Sequence, residues 1–290
     1  MISNFERLAI SAVLVLALTA GGLAGQSTAP GSGSGQAPSD KKSGAPQIKA
    51  TDSIVVGAHL TPEEQEDGKI NDAYQPLYHL SRQTDCDQIV RLDQETIIPM
   101  AEASKFSVTR NKFLFLANRD IAGCELRAGK YQEAEQRYEK LFEYIPIWPG
   151  MDDSDYPQNY QAIGTARLMQ GRAKDAEELL EKAIQIFDEQ IQKALQSDSE
   201  FMRKEHSNNL KMSEAQTRRV LGAAYFRDGR QSDGMDMLER AYQEALQSNA
   251  DSQTIMRIIE TGHAAAEILG DSAVKEKWDQ RSEAQKKRQP

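Results

Sequence analysis

Two cysteines, Cys86 and Cys124, are the residues whose type and number most directly suggest chemistry, because they are the only thiols in the 290-residue chain. An even number of cysteines in an exported protein favours a disulfide, and closing a loop of this length stabilises a fold by roughly 4 kcal/mol in the chain-entropy model. The alternative is a pair of reduced cysteines packed on helix faces. A catalytic thiol is disfavoured, since no nearby histidine or basic cluster would lower its pKa.

Other side-chain patterns point away from catalysis, cofactors and metals. Two cysteines cannot supply a four-thiolate site, and the histidines are scattered along the chain at His59, His79, His206 and His263. The sequence contains no nucleophile elbow, phosphate-binding glycine loop, zinc-protease helix or paired-carboxylate motif. The formal net charge of -9 gives no general attraction for a phosphate backbone. We therefore expect a protein that is not an enzyme, has no cofactor or metal, and does not bind nucleic acid.

Residues 1–25 have the pattern of a targeting segment. Leu8 to Ala24 carries no charge, follows a short stretch with Arg7, and ends in small residues, as a secretory signal peptide does. The alternative is an uncleaved membrane anchor, because about 17 apolar residues is the lower limit for crossing a bilayer. The sequence therefore predicts an exported protein of the periplasm or cell envelope, with a membrane contact only if residues 8–24 are retained as a tether.

Two regions separate this segment from the rest of the chain. Residues 26–50 are rich in Gly, Ser and Pro and almost devoid of large apolar side chains, which predicts a disordered linker. Residues 51–114 form a predicted helical region, because apolar residues recur there at helical spacing. One helix is expected to start at Thr61-Pro62, with Thr as the N-cap and Pro in the first turn. Pro76 and Pro99 are expected to kink or end helices.

Three later stretches resemble one another and indicate an internal repeat. They span residues 121–146, 163–187 and 221–246, and each contains two amphipathic helices joined at a glycine. Glycine suits this position because the residue that follows a helix usually adopts a left-handed backbone conformation. The turn glycines are Gly129, Gly171 and Gly229, with Gly270 as a weaker fourth. Small residues in both helices predict close packing within each pair: Ala122, Gly164, Gly222, Ala134 and Ala176.

These stretches resemble tetratricopeptide repeats (TPRs). The residues that carry the resemblance are Gly129, Tyr131, Ala134, Gly164, Gly171, Ala176, Gly222 and Gly229, while Gly234 stands where Ala is usual. The resemblance implies an all-α fold, with an α-solenoid of TPR-like helix hairpins over residues 115–270 and a capping helix and tail over 271–290. The turn glycines are 42, 58 and 41 residues apart, which is typical of long-helix variants. The 58-residue interval predicts a protruding helical hairpin.

The resemblance also implies a concave groove, lined by the first helix of each pair, that binds a protein or peptide segment. The residues expected to face this groove are Arg119, Arg127, Gln158, Gln161, Arg219, Phe226 and Arg227. Arginines on such a surface could bind carboxylates, because guanidinium groups present two donors in a rigid fork. The alternative is that each arginine is solvated or paired with an acid of the same chain. The Lys/Asn pattern of the chaperone-binding family members is not present.

Two functional hypotheses follow from the sequence. The first is a non-catalytic TPR protein of the cell envelope that mediates protein-protein interaction through its helical groove. The second is a structural subunit of an envelope assembly, in which the edges of the solenoid make the contacts. Fold analogy does not choose between them.

Overall fold

The computed structural model describes residues 60–80, 84–145 and 155–288 of the chain. Within these ranges the protein folds into eleven α-helices, α1 to α11, and no β-strand. The all-α fold predicted from the sequence is therefore confirmed. The predicted signal peptide (1–25) and linker (26–50) lie outside the described residues.

The N-terminal helical region consists of α1 (Pro62–Tyr74), α2 (Cys86–Leu92) and α3 (Ile98–Ala103). Thr61 caps α1 as predicted: its hydroxyl accepts a hydrogen bond from the Glu64 amide, and its own amide donates to the Glu64 carboxylate. Pro76 lies in a 3₁₀ turn that ends α1. A π-type turn (Asp93–Ile97) connects α2 to α3 and immediately precedes the turn that holds Pro99. Pro99 has no amide hydrogen and cannot donate the usual helical hydrogen bond, and the wider π-type turn before it accommodates this loss.

Eight longer helices form four antiparallel pairs. The pairs are α4 (Ser107–Arg127) with α5 (Tyr131–Leu141), α6 (Asp155–Met169) with α7 (Ala173–Leu195), α8 (Ser207–Arg227) with α9 (Gln231–Gln247), and α10 (Ser252–Leu269) with α11 (Ser272–Lys286). The first pair starts eight residues before the predicted boundary at residue 115. The turn residues Gly129, Gly171, Gly229 and Gly270 all have positive φ angles. The sequence predicted this left-handed conformation at the turn glycines, because glycine adopts it without steric cost.

In the second, third and fourth pairs a glycine of the first helix lies directly against a side chain of the second helix. A Cβ atom added to Gly164 would lie 2.8 Å from Leu180 Cγ, and one added to Gly222 would lie 2.9 Å from Leu238 Cγ. The third pair has a second close approach, because a Cβ on Gly234 would lie 2.4 Å from the Phe226 ring. Gly234 stands in place of the family's usual Ala, and its missing side chain admits the ring of Phe226.

The fourth pair replaces leucine with tryptophan at the equivalent contact. Trp278 of α11 is fully buried, and its ring covers Gly262 of α10. Arg281 of the same helix stacks on the rings of Trp278 and Tyr242, with its guanidinium carbon 4.4 and 4.1 Å from their centroids. Arg281 also donates a hydrogen bond of 2.6 Å to Glu239 of α9. A helix with few apolar side chains is thus held by one large ring and by ion pairs to α9 and α10, among them Arg281 and Lys277 with Glu239.

The N-terminal region is joined to the first pair covalently and by polar contacts. Cys86 at the start of α2 forms a disulfide with Cys124 of α4, with the two Cα atoms 5.5 Å apart. The Tyr74 hydroxyl at the end of α1 donates a hydrogen bond of 2.5 Å to buried Asp120 of α4. These links make α1 to α3 part of the same core as the first helix pair.

The predicted hairpin corresponds to α7 and α8, which are 23 and 21 residues long. Its outer part has a small apolar cluster of its own, made by Phe187, Ile191, Ala194 and Leu210. Leu195 and Phe201 near the connection between the two helices are 40% and 63% exposed. The hairpin is therefore held together internally while its tip presents apolar side chains to solvent.

Replacing Gly262 with Ala should destabilise the protein. The added methyl group would lie 2.5 Å from the rigid ring of Trp278, so the helices must move apart. We expect a loss of about 1–3 kcal/mol in the free energy of unfolding, measured by urea denaturation. The control is Gly68→Ala in α1, where nothing lies within 4 Å. It should gain about 0.5–1 kcal/mol from helix propensity, and an equal gain at Gly262 would show that the ring contact imposes no restraint.

Stability should depend on the ionisation of Glu239 below pH 4.5. Hydrogen bonds from Arg281, and further ones from Gln243 and Lys277, lower the pKa of Glu239 to about 2. A carboxylate with a lowered pKa stabilises the folded state above its unfolded pKa of 4.5, and this contribution is lost as the pH falls towards 2. Glu239→Gln should therefore be less stable than the wild type at pH 7.

The difference in unfolding free energy between Glu239→Gln and the wild type should shrink between pH 4.5 and 2. Urea denaturation at a series of pH values measures it. Glu276→Gln, at an exposed position of α11, is the matched control and should keep the wild-type profile. A constant difference down to pH 2 would contradict the role given to Glu239.

Candidate functional site

The first helices of the four pairs contact one another along the stack. An ion pair of 3.5 Å between Arg119 and Asp155 links α4 to α6. Helix α6 contacts α8, and α8 contacts α10. These four helices form the layer that the TPR resemblance assigns to partner binding.

The four arginines predicted to face a partner lie at four different junctions. Arg119 bridges α4 and α6, and Arg127 points its Nη2 atom at the two sulfurs of the disulfide, 2.9 and 3.0 Å away. Arg227 donates a hydrogen bond to the backbone carbonyl of Leu168 near the end of α6. Arg219 lies between α8 and α10. Three of the four guanidinium groups thus take part in contacts that hold the fold together.

The three uncharged residues predicted for the groove differ in exposure. Gln158 is half-buried on α6, whereas Gln161 is buried. Phe226 is 4% exposed and packs over Gly234, on the side of α8 that faces α9 within the third pair. The missing side chain of Gly234 makes room for the ring inside the third pair. The sequence pattern could not show this, because it does not fix which side of α8 the ring takes.

Arg219 and Arg257 are the two buried arginines of the described residues, with 2% and 3% of their surfaces exposed. Arg219 is on α8 and Arg257 on α10. Nη1 of Arg219 donates a hydrogen bond of 3.4 Å to the hydroxyl of Thr261. Nε of Arg219, and both Nε and Nη2 of Arg257, are buried without an acceptor in the described part of the chain. Neither guanidinium forms an ion pair with a described residue.

Burial makes the positive charges of Arg219 and Arg257 unfavourable in the folded chain. Burial, together with the charge of Arg257, lowers the pKa of Arg219 to about 10, against a partial offset from Glu260. Burial also lowers the pKa of Arg257, with Asp251 and Glu260 opposing the shift. Both groups remain protonated at pH 7. Two positive charges are therefore buried at the junction of α8 and α10 and are incompletely hydrogen-bonded.

Polar side chains continue along the same junction. The amide of Gln216 on α8 donates a hydrogen bond of 3.3 Å to the hydroxyl of Thr254 on α10. The hydroxyl of Thr261 donates to the carbonyl of Arg257 within α10. The sequence analysis missed Arg257, although a charge among Ile255, Ile258 and Ile259 in an apolar helix was an available signal. The junction of α8 and α10 is thus lined with polar side chains, and the guanidinium groups of Arg219 and Arg257 are only partly hydrogen-bonded there.

Other arginines of the chain show how a purely structural arginine is satisfied. Arg167 and Arg172 both bind the buried carboxylate of Glu135, at 2.7 and 2.9 Å. Arg218, next to Arg219 in sequence, binds Glu214 and Glu244. Arg219 and Arg257 have no such partner among the described residues, which separates them from the structural ion pairs.

Comparisons with known proteins agree with this architecture. Residues 113–189 match the family model of the tetratricopeptide repeat. A crystal structure of nearly identical TPR-like repeats of a candidate kinesin light chain from Podosopora anserina is similar to this chain, with 14% identity and a TM-score of 0.50 over 77% of this chain and 99% of that one. A crystal structure of a single-residue variant of the same repeats gives 14% identity and a TM-score of 0.51, over 78% and 97%. No curated protein matches the chain.

The fold and the first-helix layer define the class of protein: an α-solenoid of stacked helix pairs. The match of residues 113–189 to the tetratricopeptide repeat model confirms the resemblance stated from the sequence. At 14% identity the likeness to the solved repeats concerns the fold alone. TPR folds are typically non-catalytic scaffolds for protein-protein interaction.

Two searches of the described residues gave negative results. They contain no group of three or more His, Cys, Asp or Glu side chains placed to hold a metal ion. Among the helices that the structure describes, none combines the length and the apolar character needed to cross a membrane.

Proposed function

We propose that this protein is a non-catalytic scaffold of the cell envelope that binds a protein or peptide segment along its first-helix layer. The observation that carries the proposal is the TPR match over residues 113–189, which covers the first two helix pairs. The net charge of -9 argues against a nucleic-acid partner.

Two features support an exported location. Residues 8–24 have the composition of a signal peptide or anchor. The disulfide between Cys86 and Cys124 supports the same location, since disulfides persist in oxidising compartments such as the periplasm.

A second candidate function is that of a structural subunit of an envelope assembly. The apolar tip of the α7–α8 hairpin favours it, because the side chains of Leu195 and Phe201 are exposed there. Exposed large apolar residues close together are typical of contact surfaces. In this function the edge of the solenoid makes the contact and the first-helix layer does not.

A pull-down with the full chain should separate the two functions. The wild-type protein is captured from an envelope fraction under oxidising conditions, and retained proteins are identified by mass spectrometry. Gln158→Trp places a bulky ring on the first-helix layer at α6, whereas Phe201→Ser removes the apolar tip. The matched control is Gln247→Trp, at the end of the second helix α9 and away from the first-helix layer.

A discrete partner that is lost with Gln158→Trp and kept with Phe201→Ser and Gln247→Trp is the expected result. Loss with Phe201→Ser alone would instead assign the contact to the hairpin tip. Retention of no protein by the wild type would contradict both functions. Circular dichroism of each variant shows whether its helices are intact.

A further inference from the structure

The disulfide between Cys86 and Cys124 has a positive charge in direct contact with it. Nη2 of Arg127 lies 2.9 Å from the sulfur of Cys86 and 3.0 Å from the sulfur of Cys124. Arg127 follows Cys124 by three residues on α4, and its guanidinium lies beside Gly123, where an added Cβ atom would be 3.6 Å from Nη1. One guanidinium therefore contacts sulfurs that come from two different helices.

This charge interacts more strongly with a thiolate than with a disulfide. The sulfurs of a disulfide carry no charge and accept hydrogen bonds weakly. A thiolate is an anion, and a neighbouring arginine stabilises it relative to the thiol. Thiol–disulfide exchange releases a thiolate as its leaving group, and a more stable thiolate leaves faster. Arg127 thus stabilises the product of exchange more than the starting disulfide.

The exposure of the two sulfur-bearing residues sets the direction of attack. Cys124 is buried, with 4% of its surface exposed, whereas Cys86 is half-buried at the start of α2. An attacking thiolate therefore reaches Cys86 more readily, and Cys124 is then the leaving group. A buried thiolate without a partner is unfavourable, so the leaving group is the one that most needs the contact with Arg127.

We propose that the Cys86–Cys124 disulfide is a site of thiol–disulfide exchange with a dithiol reductant, and that Arg127 stabilises the departing thiolate. In the first step a thiolate of the reductant forms a bond to Cys86 Sγ, the bond to Cys124 breaks, and the electron pair stays on Cys124 Sγ beside Arg127. In the second step the other thiol of the reductant loses its proton to water and attacks the reductant sulfur of this mixed disulfide. Cys86 leaves with the electron pair and takes a proton from water. The reductant is oxidised to a disulfide, and the protein gains two electrons.

Exchange at this site changes how the N-terminal region is attached. Helix α2 has seven residues, too few to be stable in isolation, and the disulfide is its covalent link to α4. Helix α1 has polar contacts with α4: Lys112 donates hydrogen bonds of 2.8 and 3.0 Å to Asp67, and Tyr74 donates one to Asp120. Reduction should therefore loosen α2 while α1 stays in place.

The first test measures the reduction of the folded full chain by dithiothreitol at pH 8, with iodoacetamide trapping and mass spectrometry. The wild type should be reduced while circular dichroism shows that its helices are intact. Arg127→Met should be reduced at least about threefold more slowly, because its leaving thiolate lacks the cation. Its equilibrium with reduced and oxidised dithiothreitol should shift towards the protein disulfide by a similar factor.

Two further variants separate the charge from its position. Arg110→Met is the matched control, because it removes the same charge from the same helix about 25 Å along the axis from Arg127. It should be reduced at the wild-type rate. Arg127→Lys keeps a positive charge on a different head group, and its rate should lie between those of the wild type and Arg127→Met.

The second test measures the attachment of α2 by hydrogen–deuterium exchange. After reduction of the wild type, the amides of α2 should exchange at least about tenfold faster, while those of α8 should not change. The double variant Cys86→Ser, Cys124→Ser cannot form the disulfide and should show the reduced pattern in oxidising buffer. Equal protection of α2 in the oxidised and reduced wild type would contradict the loosening.

Three results would overturn the exchange site. The first is reduction only at urea concentrations that unfold the protein, which would show that the disulfide is closed to reductants in the folded state. The second is an equal rate for the wild type and both Arg127 variants. The third is faster reduction of Arg127→Met at an unchanged free energy of unfolding, measured by urea denaturation. None of these results depends on what the first-helix layer binds.

Discussion

The close approach of the two helices in each pair is the constraint on which the structure depends. Gly164, Gly222 and Gly262 each accept a large side chain of the second helix directly against the backbone of the first. A side chain at any of these positions would push the pair apart. Since successive pairs stack on one another, the distance within a pair also fixes the distance between neighbouring first helices.

Charged groups have two different roles in this stack. Buried or half-buried acids connect neighbouring helices through arginine: Glu135 with Arg167 and Arg172, and Glu177 with Arg230. In each case an acid and a base offset each other's loss of hydration. At the junction of α8 and α10 the bases are present, and no described acid pairs with them. Hydrogen bonds to the hydroxyl groups of Thr254 and Thr261 link the two helices there instead.

The sequence predicted the parts of the fold that depend on local chemistry. The N-cap at Thr61 and the left-handed turns at Gly129, Gly171, Gly229 and Gly270 follow from preferences of single residues, and the structure has all of them. The site was less predictable because burial is a property of the packed structure. The sequence could place Arg219 on the first-helix layer but not Arg257 beside it, since the two are 38 residues apart and meet only when the pairs stack. Phe226 shows the same limit, because the small size of Gly234 decides where its ring lies.

The end of the solenoid has a direct bearing on the candidate site. Helix α10 supplies Arg257 and Thr261, and it is covered on its outer side only by α11 in the described part of the chain. That last helix has few apolar side chains and is attached by Trp278 against Gly262 and by polar contacts such as Arg281 with Glu239. Terminal repeats are the least stable parts of a solenoid, because they have a neighbour on one side only.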